Sequence, residues 1–435
     1  MAWRLLWLLL FLLPFDAWAT NPFEGARAAA MGTAFVAIAD DPSAVVHNPA
    51  GLTSLTGTHS YGGGSVINLS TSFENPQGQT EQTRFRLYFP PYMFLSTDFG
   101  LEDLAFGFGL YSPFGIGGRT WSEDGLTRYV SIQSQIATLA VNPTIAWRPI
   151  RELSVAAGFD YVYAFGKAKH KIDQSALGAS DGSFEFSANG GGVGFNLGVL
   201  YSISEQVSLG VSYRSRVTAP QHGTVKLGDI APPLQPVFGA SDFRSDAKTT
   251  LRFPDDVSFG AAYRPTETWT LGFEVEWQDW SRFAKQTLNI EREVPAAGFT
   301  TVSTDLGWGS MWYIKLGMEH TLSKQWSLRA GYVLVITPVP DRTLAPDNPE
   351  SNQHNLAVGI GYKFGRFTLD AFYNLGLYVG RSVTNSILSG KYSNLSNSIG
   401  LSIGYRFGEG NNGSAREDKN DRGPGAGDRQ RGNGQ

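Results

Sequence analysis

The sequence predicts an all-β protein, a transmembrane antiparallel β-barrel of about fourteen strands whose lumen is plugged by an N-terminal hatch. Three observations lead to this prediction. Apolar and polar residues alternate along most of the chain, short and long connections alternate between the strands, and an export signal opens the sequence. Together they describe a chain that leaves the cytoplasm and crosses a membrane with strands.

Residues 1–19 have the three parts of a secretory signal peptide. Arg4 supplies the positive start, LLWLLLFLLPF is the apolar centre, and Ala17-Trp18-Ala19 is a cleavage site of the A-x-A type. The alternative is an uncleaved anchor, but the apolar run is shorter than the roughly 20 residues of a membrane-spanning helix. We therefore expect the mature chain to start at Thr20.

The side-chain alternation identifies strands with one apolar face and one small or polar face. In WTLGFEVEW, one face carries Trp269, Leu271, Phe273, Val275 and Trp277. A soluble sandwich also alternates, but here the other face is rich in Gly and Ser, which is typical of a crowded lumen. Aromatic residues end the apolar face, as they do at a lipid interface. Because only a closed barrel satisfies strand backbone in lipid, the pattern favours a barrel.

The connections between strands alternate in length. Tight turns such as RPIREL, SISEQV and TLSKQW are separated by long stretches such as 219–247 and 283–304. Short periplasmic turns and long extracellular loops are the outer-membrane pattern, and an even strand number places both termini in the periplasm. The barrel is predicted to span residues 58–407.

The segment 408–435 follows the last predicted strand. It contains no large apolar residue and has balanced charges, so it cannot bury enough surface to offset its ordering entropy. We predict a disordered periplasmic tail, and a segment that binds peptidoglycan or a partner is the alternative.

Composition excludes several functional classes. The net charge of −4 gives no reason to expect a nucleic-acid partner, and the absence of cysteine excludes disulfides and thiolate metal sites. The six histidines are scattered, without the spacing of a metal site or a catalytic triad. We therefore expect no enzyme activity, no metal and no cofactor.

Residues 20–57 are predicted to form the hatch, because this segment is neither strand nor loop. A barrel of about fourteen strands has a lumen too wide for its own side chains to fill. The segment combines many small residues with the apolar Phe35, Val36 and Ile38 and a tight turn at Asn48-Pro49-Ala50. The alternative, a mobile periplasmic leader, explains neither the apolar run nor the turn.

The stretch GARAAAMGTAFVAIADDPSAVVHNPAGL resembles the N-terminal hatch of the FadL family of long-chain fatty-acid transporters, which includes aromatic-hydrocarbon importers of the TodX type. The likeness rests on AIADD and on the triplet Asn48-Pro49-Ala50, and it continues in YSPFG, VNPTIAWRP and PDDVSFGAAYRP. It implies passive uptake of hydrophobic molecules across the bacterial outer membrane. A ligand would be caught by an apolar groove among the loops, pass to a pocket near the hatch, and leave sideways through the wall beside a kinked third strand.

The third strand carries residues that suit such a lateral opening. LAFGFGLYSPFGIGG combines proline, which breaks a ladder, with glycines, which allow a kink. The preceding strand contains Pro90-Pro91. The predicted opening comprises Gly107, Gly109, Tyr111, Pro113, Phe114 and Gly115. The alternative is that these residues merely end two strands at the rim of the barrel.

An apolar loop is the predicted ligand groove. The stretch from Lys226 to Phe243 includes Ile230, Leu234, Val237 and Phe238. Packing of these side chains on neighbouring loops, as a cap on the barrel, is the alternative.

Several charges fall on inward positions and are expected to grip the hatch, namely Asp160, Arg214, Glu274, Glu276, Lys315, Arg329, Asp370 and Arg406. The sequence does not select which basic residue would meet a carboxylate ligand, nor whether the cargo is a fatty acid, an alkane or an aromatic hydrocarbon. A general porin and a structural or adhesive barrel are the alternative functions. We expect a monomer surrounded by outer-membrane lipid and lipopolysaccharide.

Overall fold

The computed structural model describes residues 23–283, 285–292 and 301–408. The predicted signal peptide and the predicted tail, apart from Gly408, lie outside these residues. Among the residues described, no helix is both long enough and apolar enough to cross a membrane.

The strands belong to one antiparallel sheet. In chain order they are β1 (Thr58–Glu74), β2 (Thr80–Gln82), β3 (Pro91–Thr97), β4 (Leu104–Tyr111), β5 (Ile116–Thr120), β6 (Gln133–Ile150), β7 (Leu153–Ile172), β8 (Gly182–Ser202), β9 (Val207–Arg214), β10 (Val217–Gly228), β11 (Phe243–Phe253), β12 (Asp256–Thr266), β13 (Trp269–Gln278), β14 (Lys285–Ile290), β15 (Thr301–Asp305), β16 (Met311–Thr321), β17 (Trp326–Ile336), β18 (Gln353–Phe364), β19 (Phe367–Tyr378), β20 (Arg381–Val383) and β21 (Gly390–Phe407). The α-helices are α1 (Ala26–Ala30), α2 (Ala44–His47) and α3 (Gln235–Phe238), and 3₁₀ turns cover Pro49–Ser54, Ser175–Leu177, Pro232–Leu234, Trp280–Phe283 and Asp341–Thr343.

The sheet closes into a barrel because β1 pairs along its whole length with β21, from Thr58 opposite Phe407 to Glu74 opposite Lys391. Several barrel strands are interrupted, so that two successive segments, such as β4 and β5 or β9 and β10, form one strand. The result is a closed antiparallel barrel of 14 strands, which confirms the predicted architecture. We call the end of the barrel with the tight turns, such as residues 151–152 between β6 and β7, the short-turn rim, and the opposite end the long-loop rim.

The alternation along the strands has the predicted direction. In β21, for example, 56% of Leu401 is exposed on the outer wall, while the next residue, Ser402, is completely buried on the inner wall. Apolar side chains thus form the outer surface, and small or polar side chains line the lumen.

The segment 23–57, which we call the hatch, packs against the inner wall, and most of residues 24–52 are buried. The apolar residues from Ala26 to Ala39 are at most 2% exposed. Neither helix in it exceeds five residues, so packing against the wall, rather than helix propensity, stabilises it.

Glycines on the wall allow the hatch backbone to approach closely. At several wall glycines, an added Cβ atom would lie nearer than 3.0 Å to a hatch atom. Six of them are Gly198 on β8, Gly210 on β9, Gly272 on β13, Gly317 on β16, Gly331 on β17 and Gly359 on β18. We call this set the glycine wall. Close packing of the hatch therefore explains many of the glycines on the inner face of the strands.

Candidate functional site

The turn at Asn48-Pro49-Ala50 is hydrogen-bonded both to another part of the hatch and to the barrel wall. The Asn48 side chain donates to the carbonyl of Val36 at 2.7 Å and to that of Val199 on β8 at 3.0 Å, and its oxygen accepts from the Ala50 N–H at 3.2 Å. Asn48 is completely buried. One side chain therefore fixes three backbone groups in the lumen.

The apolar run of the hatch is held by a buried carboxylate. Phe35, Val36 and Ile38 are at most 2% exposed. The N–H groups of Phe35 and Val36 donate to Oε2 of Glu274 at 2.9 and 2.8 Å, and Lys315 donates to its other oxygen at 2.8 Å. Glu274 thus anchors the hatch while its charge is compensated.

Arg27 extends the charge network from the hatch to the wall. It contacts Asp40 within the hatch and donates to Glu319 on β16 at 2.9 Å. Glu319 also binds Arg329, which donates to Asp370 at 2.7 Å. Of the predicted inward charges, Glu274 and Arg214 bond directly to the hatch, Arg214 by donating to the Val46 carbonyl at 3.2 Å. The others pair with charges on the barrel wall, namely Asp160, Glu276, Lys315, Arg329 and Asp370, whereas Arg406 lies exposed at the short-turn rim.

The ladder between the second and third barrel strands is broken. β3 pairs with β4 from Met93 opposite Leu110 to Thr97 opposite Phe106. The chain then turns over residues 112–115, and β5 pairs with β6. The next backbone hydrogen bond between the two strands runs from Arg84 N–H to the Thr120 carbonyl at 2.7 Å.

A gap in the ladder therefore separates residues 85–92 of the second strand from residues 111–119 of the third. It is crossed by one side chain, since the Tyr88 hydroxyl donates to the Gly118 carbonyl at 2.7 Å. We call this region the wall gap. It lies between the two strands in which the sequence places Pro90-Pro91 and Pro113.

Five of the six residues of the predicted opening fall into two groups, and Tyr111 ends β4 between them. Gly107 and Gly109 lie in the paired part of the third strand, where an added Cβ would meet Val45 of the hatch. Pro113, Phe114 and Gly115 lie in the break itself, where Gly115 has a φ of 81°.

Aromatic residues stabilise both sides of this break. The Phe114 ring stacks on Phe253, with 4.2 Å between centroids. The buried Tyr111 hydroxyl donates to Asp160 at 3.0 Å and accepts from Arg214 at 2.6 Å. Tyr111 and Phe114 therefore hold the ends of the break in place.

A narrow cavity of about 40 Å³ joins the start of the hatch to the wall gap. Its walls come from the hatch, from both strands beside the gap and from the neighbouring strands β1, β21, β19 and β18. The lining residues are Phe23, Glu24, Ser65, Ile67, Tyr88, Pro90, Pro91, Tyr92, Ser112, Gly115, Ile116, Gln353, Asn355, Tyr378, Ser396 and Ser398. The sequence analysis did not select Phe23 or Glu24. The available signal was an aromatic and an acidic residue directly before the small-residue run ARAAA.

Glu24 is the titratable group of the hatch that borders this cavity. It is 3% exposed, and burial raises the pKa of its carboxyl to about 8. His47 lies behind it, with Nε2 2.9 Å from the Glu24 carbonyl oxygen, and burial lowers the His47 pKa to about 4. Both side chains are therefore uncharged near neutral pH.

Residues 19–407 match the family described as outer membrane protein transport protein (OMPP1/FadL/TodX). The chain belongs to this family. A long-chain fatty acid transport protein of Escherichia coli O6:H1 is 24% identical in an alignment 378 residues long, which covers 78% of this chain and 81% of that protein.

Solved FadL/TodX-type structures share the fold. A Pseudomonas aeruginosa FadL homologue superimposes with a TM-score of 0.80 at 18% identity, covering 90% of this chain and 100% of that chain. The toluene transporter TodX of P. putida gives a TM-score of 0.73 at 16% identity, covering 89% and 99%.

In this FadL/TodX-family barrel, the predicted ligand groove is closed. Ile230, Leu234 and Phe238 are at most 5% exposed, and Val237 is partly buried against the same cluster. The Phe238 ring packs edge-on against Phe243 at 5.9 Å. This packing favours the capping alternative for the loop.

A second loop turns inward at the long-loop rim, which the sequence analysis missed. Residues 344–351, with the sequence LAPDNPES, are all buried. Glu350 pairs with Arg119 on β5 at 3.2 Å, and the Trp121 indole donates to the Pro346 carbonyl at 3.0 Å. Burial raises the pKa of Asp347 in this loop to about 6.

Proposed function

We propose that the protein takes up hydrophobic small molecules, long-chain fatty acids or hydrocarbons, across the outer membrane without an energy source, and releases them sideways through the wall gap. The short-turn rim, with both termini, would face the periplasm. The curated relative in E. coli O6:H1 is named a long-chain fatty acid transport protein, and the P. putida structure is that of a toluene transporter. Contact with outer-membrane lipid and lipopolysaccharide and a monomeric state remain predictions.

The observation that carries the proposal is the coincidence of three features at one place. The ladder is broken between the second and third strands, a cavity opens at the break, and the start of the hatch borders that cavity. Along the barrel axis, by contrast, Arg27 and Glu274 tie the hatch to the wall. A path sideways past Ser112 therefore requires less disruption than expulsion of the hatch.

The physical chemistry of the cargo supports passive transfer. Moving one methylene from water into an apolar medium is favourable by about 0.8 kcal/mol, so a chain of sixteen carbons gains roughly 13 kcal/mol on entering a bilayer. Partitioning alone drives such a molecule into the membrane once a route past the polar lipopolysaccharide layer exists. The protein then needs to act as a transporter and not as an enzyme.

The test fills the cavity from the third strand. Ser112 is 2% exposed, and in Ser112→Trp a large ring would occupy the space at the break. Ser180→Trp, at an exposed position in the loop after β7, is the matched control. Both variants are produced in a Gram-negative host lacking its own fatty-acid transporter, and initial uptake of labelled oleate, hexadecane and toluene is measured per amount of folded barrel.

We expect Ser112→Trp to lose at least about tenfold in uptake by occluding the route, a change equivalent to roughly 1.4 kcal/mol or more in the barrier. Ser180→Trp should transport normally. Full uptake by folded Ser112→Trp would contradict lateral exit. Absence of uptake of all three compounds by the natural sequence, together with steady ion conductance of the purified protein, would instead identify an open porin.

A further inference from the structure

The cavity at the wall gap contains an unusual concentration of unused hydrogen-bonding capacity. Four buried side-chain oxygens without a hydrogen-bond partner line it: Oε2 of Glu24 and the hydroxyl oxygens of Ser65, Ser112 and Ser398. Buried polar groups in proteins are nearly always paired, so four such atoms around one cavity indicate a place where a polar group is received. They come from the hatch, from β1 and β21, and from the break between β4 and β5.

The remaining lining of the cavity is largely apolar. Phe23, Ile67, Pro90, Pro91 and Ile116 contribute hydrocarbon surface, and the Phe23 ring itself is supported by Phe372 at 5.4 Å. Apolar walls with a few convergent polar groups are typical of small-molecule sites. This lining suits an amphiphile, which is a molecule with an apolar body and one polar end.

The charges around Glu24 decide what kind of polar end fits. The titratable groups that face Glu24 from the packed elements are Arg214 on β9, Glu276 on β13, Tyr92 on β3, His47 on α2 and Tyr378 on β19. The Arg214 guanidinium already donates to Asp160 at 2.6 Å, and Glu276 is paired with Lys315. His47 is uncharged near neutral pH because burial lowers its pKa to about 4.

A carboxylate ligand would therefore meet the Glu24 carboxyl without an available cation. A neutral carbonyl or hydroxyl, by contrast, can accept a hydrogen bond from a protonated carboxyl and exchange others with the serines. Burial raises the pKa of Glu24 to about 8, which keeps this donor in place near neutral pH.

We propose that Glu24, Ser65, Ser112 and Ser398 form a subsite for the uncharged polar group of an otherwise apolar molecule, such as an ester, an alcohol or a protonated carboxylic acid. The inference rests on the proposed function, because it requires that hydrophobic molecules reach this cavity. It narrows the substrate class from hydrophobic molecules in general to neutral amphiphiles.

The test uses a pair of ligands that do not titrate. Methyl palmitate carries an ester that only accepts hydrogen bonds, and hexadecane is the apolar reference. Displacement of diphenylhexatriene from the purified full-length barrel is measured at pH 6 and pH 9.5. The natural sequence is compared with Glu24→Gln, which keeps a donor that does not ionise, and with Glu24→Leu, which has none.

In the natural sequence we expect methyl palmitate to bind about fivefold more tightly at pH 6 than at pH 9.5, because an ionised Glu24 cannot donate, and one hydrogen bond corresponds to roughly that ratio. Hexadecane should bind equally at both pH values. Glu24→Gln should bind the ester equally well at both pH values. Glu24→Leu should bind it weakly at both.

Equal ester binding at both pH values, or a pH dependence that persists in Glu24→Gln, would overturn the subsite. The first result would mean that the cavity holds only water, and the second that another group titrates. If neither ligand displaces the probe from any variant at either pH, the proposed function fails and the subsite fails with it. Heat-dependent electrophoretic mobility checks that each variant is folded, and Glu24→Gln retains the shape of the natural side chain.

Discussion

Replacing Glu274 by alanine should release part of the hatch without unfolding the barrel. Glu274 is 3% exposed and accepts hydrogen bonds from the N–H groups of Phe35 and Val36. The Phe35 N–H also donates to the carbonyl of Thr33 at 2.8 Å, so this N–H keeps a hydrogen-bond partner in the variant. The principal loss therefore falls on Val36.

The size of the expected effect follows from the one N–H group, that of Val36, that loses its hydrogen-bond acceptor. A buried N–H left without a partner costs about 1–3 kcal/mol, and a hydrogen bond to a charged acceptor contributes about 1.5–3 kcal/mol. We therefore expect the free energy of local opening at Val36 to fall by about 2 kcal/mol. Because 1.4 kcal/mol corresponds to a factor of ten, the Val36 amide should exchange its hydrogen roughly 30 times faster.

Hydrogen exchange of the detergent-solubilised protein measures this directly, and Glu276→Ala is the matched control. Glu276 lies on the same face of β13 and binds the same Lys315, but its hydrogen bonds go to Lys315 and Gln278 rather than to the hatch. Exchange at Val36 should stay near its natural rate in Glu276→Ala. An unchanged rate at Val36 in Glu274→Ala, or an equal increase in both variants, would refute the assignment of Glu274 as a hatch anchor.

Three further changes test other parts of the structure. Asn48→Ala should destabilise the hatch by about 2–4 kcal/mol, because it strands buried backbone groups, whereas Asn68→Ala, which removes one exposed hydrogen bond, should cost under about 1 kcal/mol in denaturant unfolding. Burial lowers the His47 pKa from 6.5 to about 4, so between these pH values the unfolded chain binds more protons than the folded chain. The free energy of unfolding should therefore fall by up to about 3 kcal/mol as the pH drops from 6.5 to 4. His47→Gln should remove that part of the pH dependence. Arg119→Met leaves Glu350 buried without its cation and should make residues 344–351 sensitive to added protease, with a cost of about 3–5 kcal/mol, while Arg128→Met, at a more exposed ion pair, should stay within about 1 kcal/mol and remain resistant.

The barrel could be predicted from the sequence because its signals are local. Alternation places Leu401 in lipid and Ser402 in the lumen through strand geometry alone, and the tight turns fix which strands are neighbours. The position of the ladder break was also accessible, since Pro113 cannot donate and Gly115 adopts a left-handed conformation. Gly107 and Gly109, in contrast, have the same residue type for a different reason, which is contact with the hatch.

The parts that sequence reasoning missed depend on contacts between distant segments. LAPDNPES has the composition of an exposed loop, and its inward turn depends on partners elsewhere in the chain, among them Arg119 on β5 and Trp121 directly after it. For the apolar loop around Leu234, the sequence left a groove and a cap as alternatives, and only the burial of its side chains in a larger apolar cluster favours the cap. Glu24 became a candidate only when the cavity brought it next to Ser112, which is 88 positions away in the chain.

The glycine wall limits how this protein can be recombined with others. Since the inner face has no side chains where Ala30, Gly32 and Val36 touch it, the outline of the hatch backbone is built into the barrel. A hatch taken from a relative with larger residues at those points would collide with strand backbone, which cannot yield as a flexible side chain does. Chimeras should therefore assemble only when plug and wall are exchanged as a pair, and a directed-evolution library that varies one of them needs compensating positions in the other.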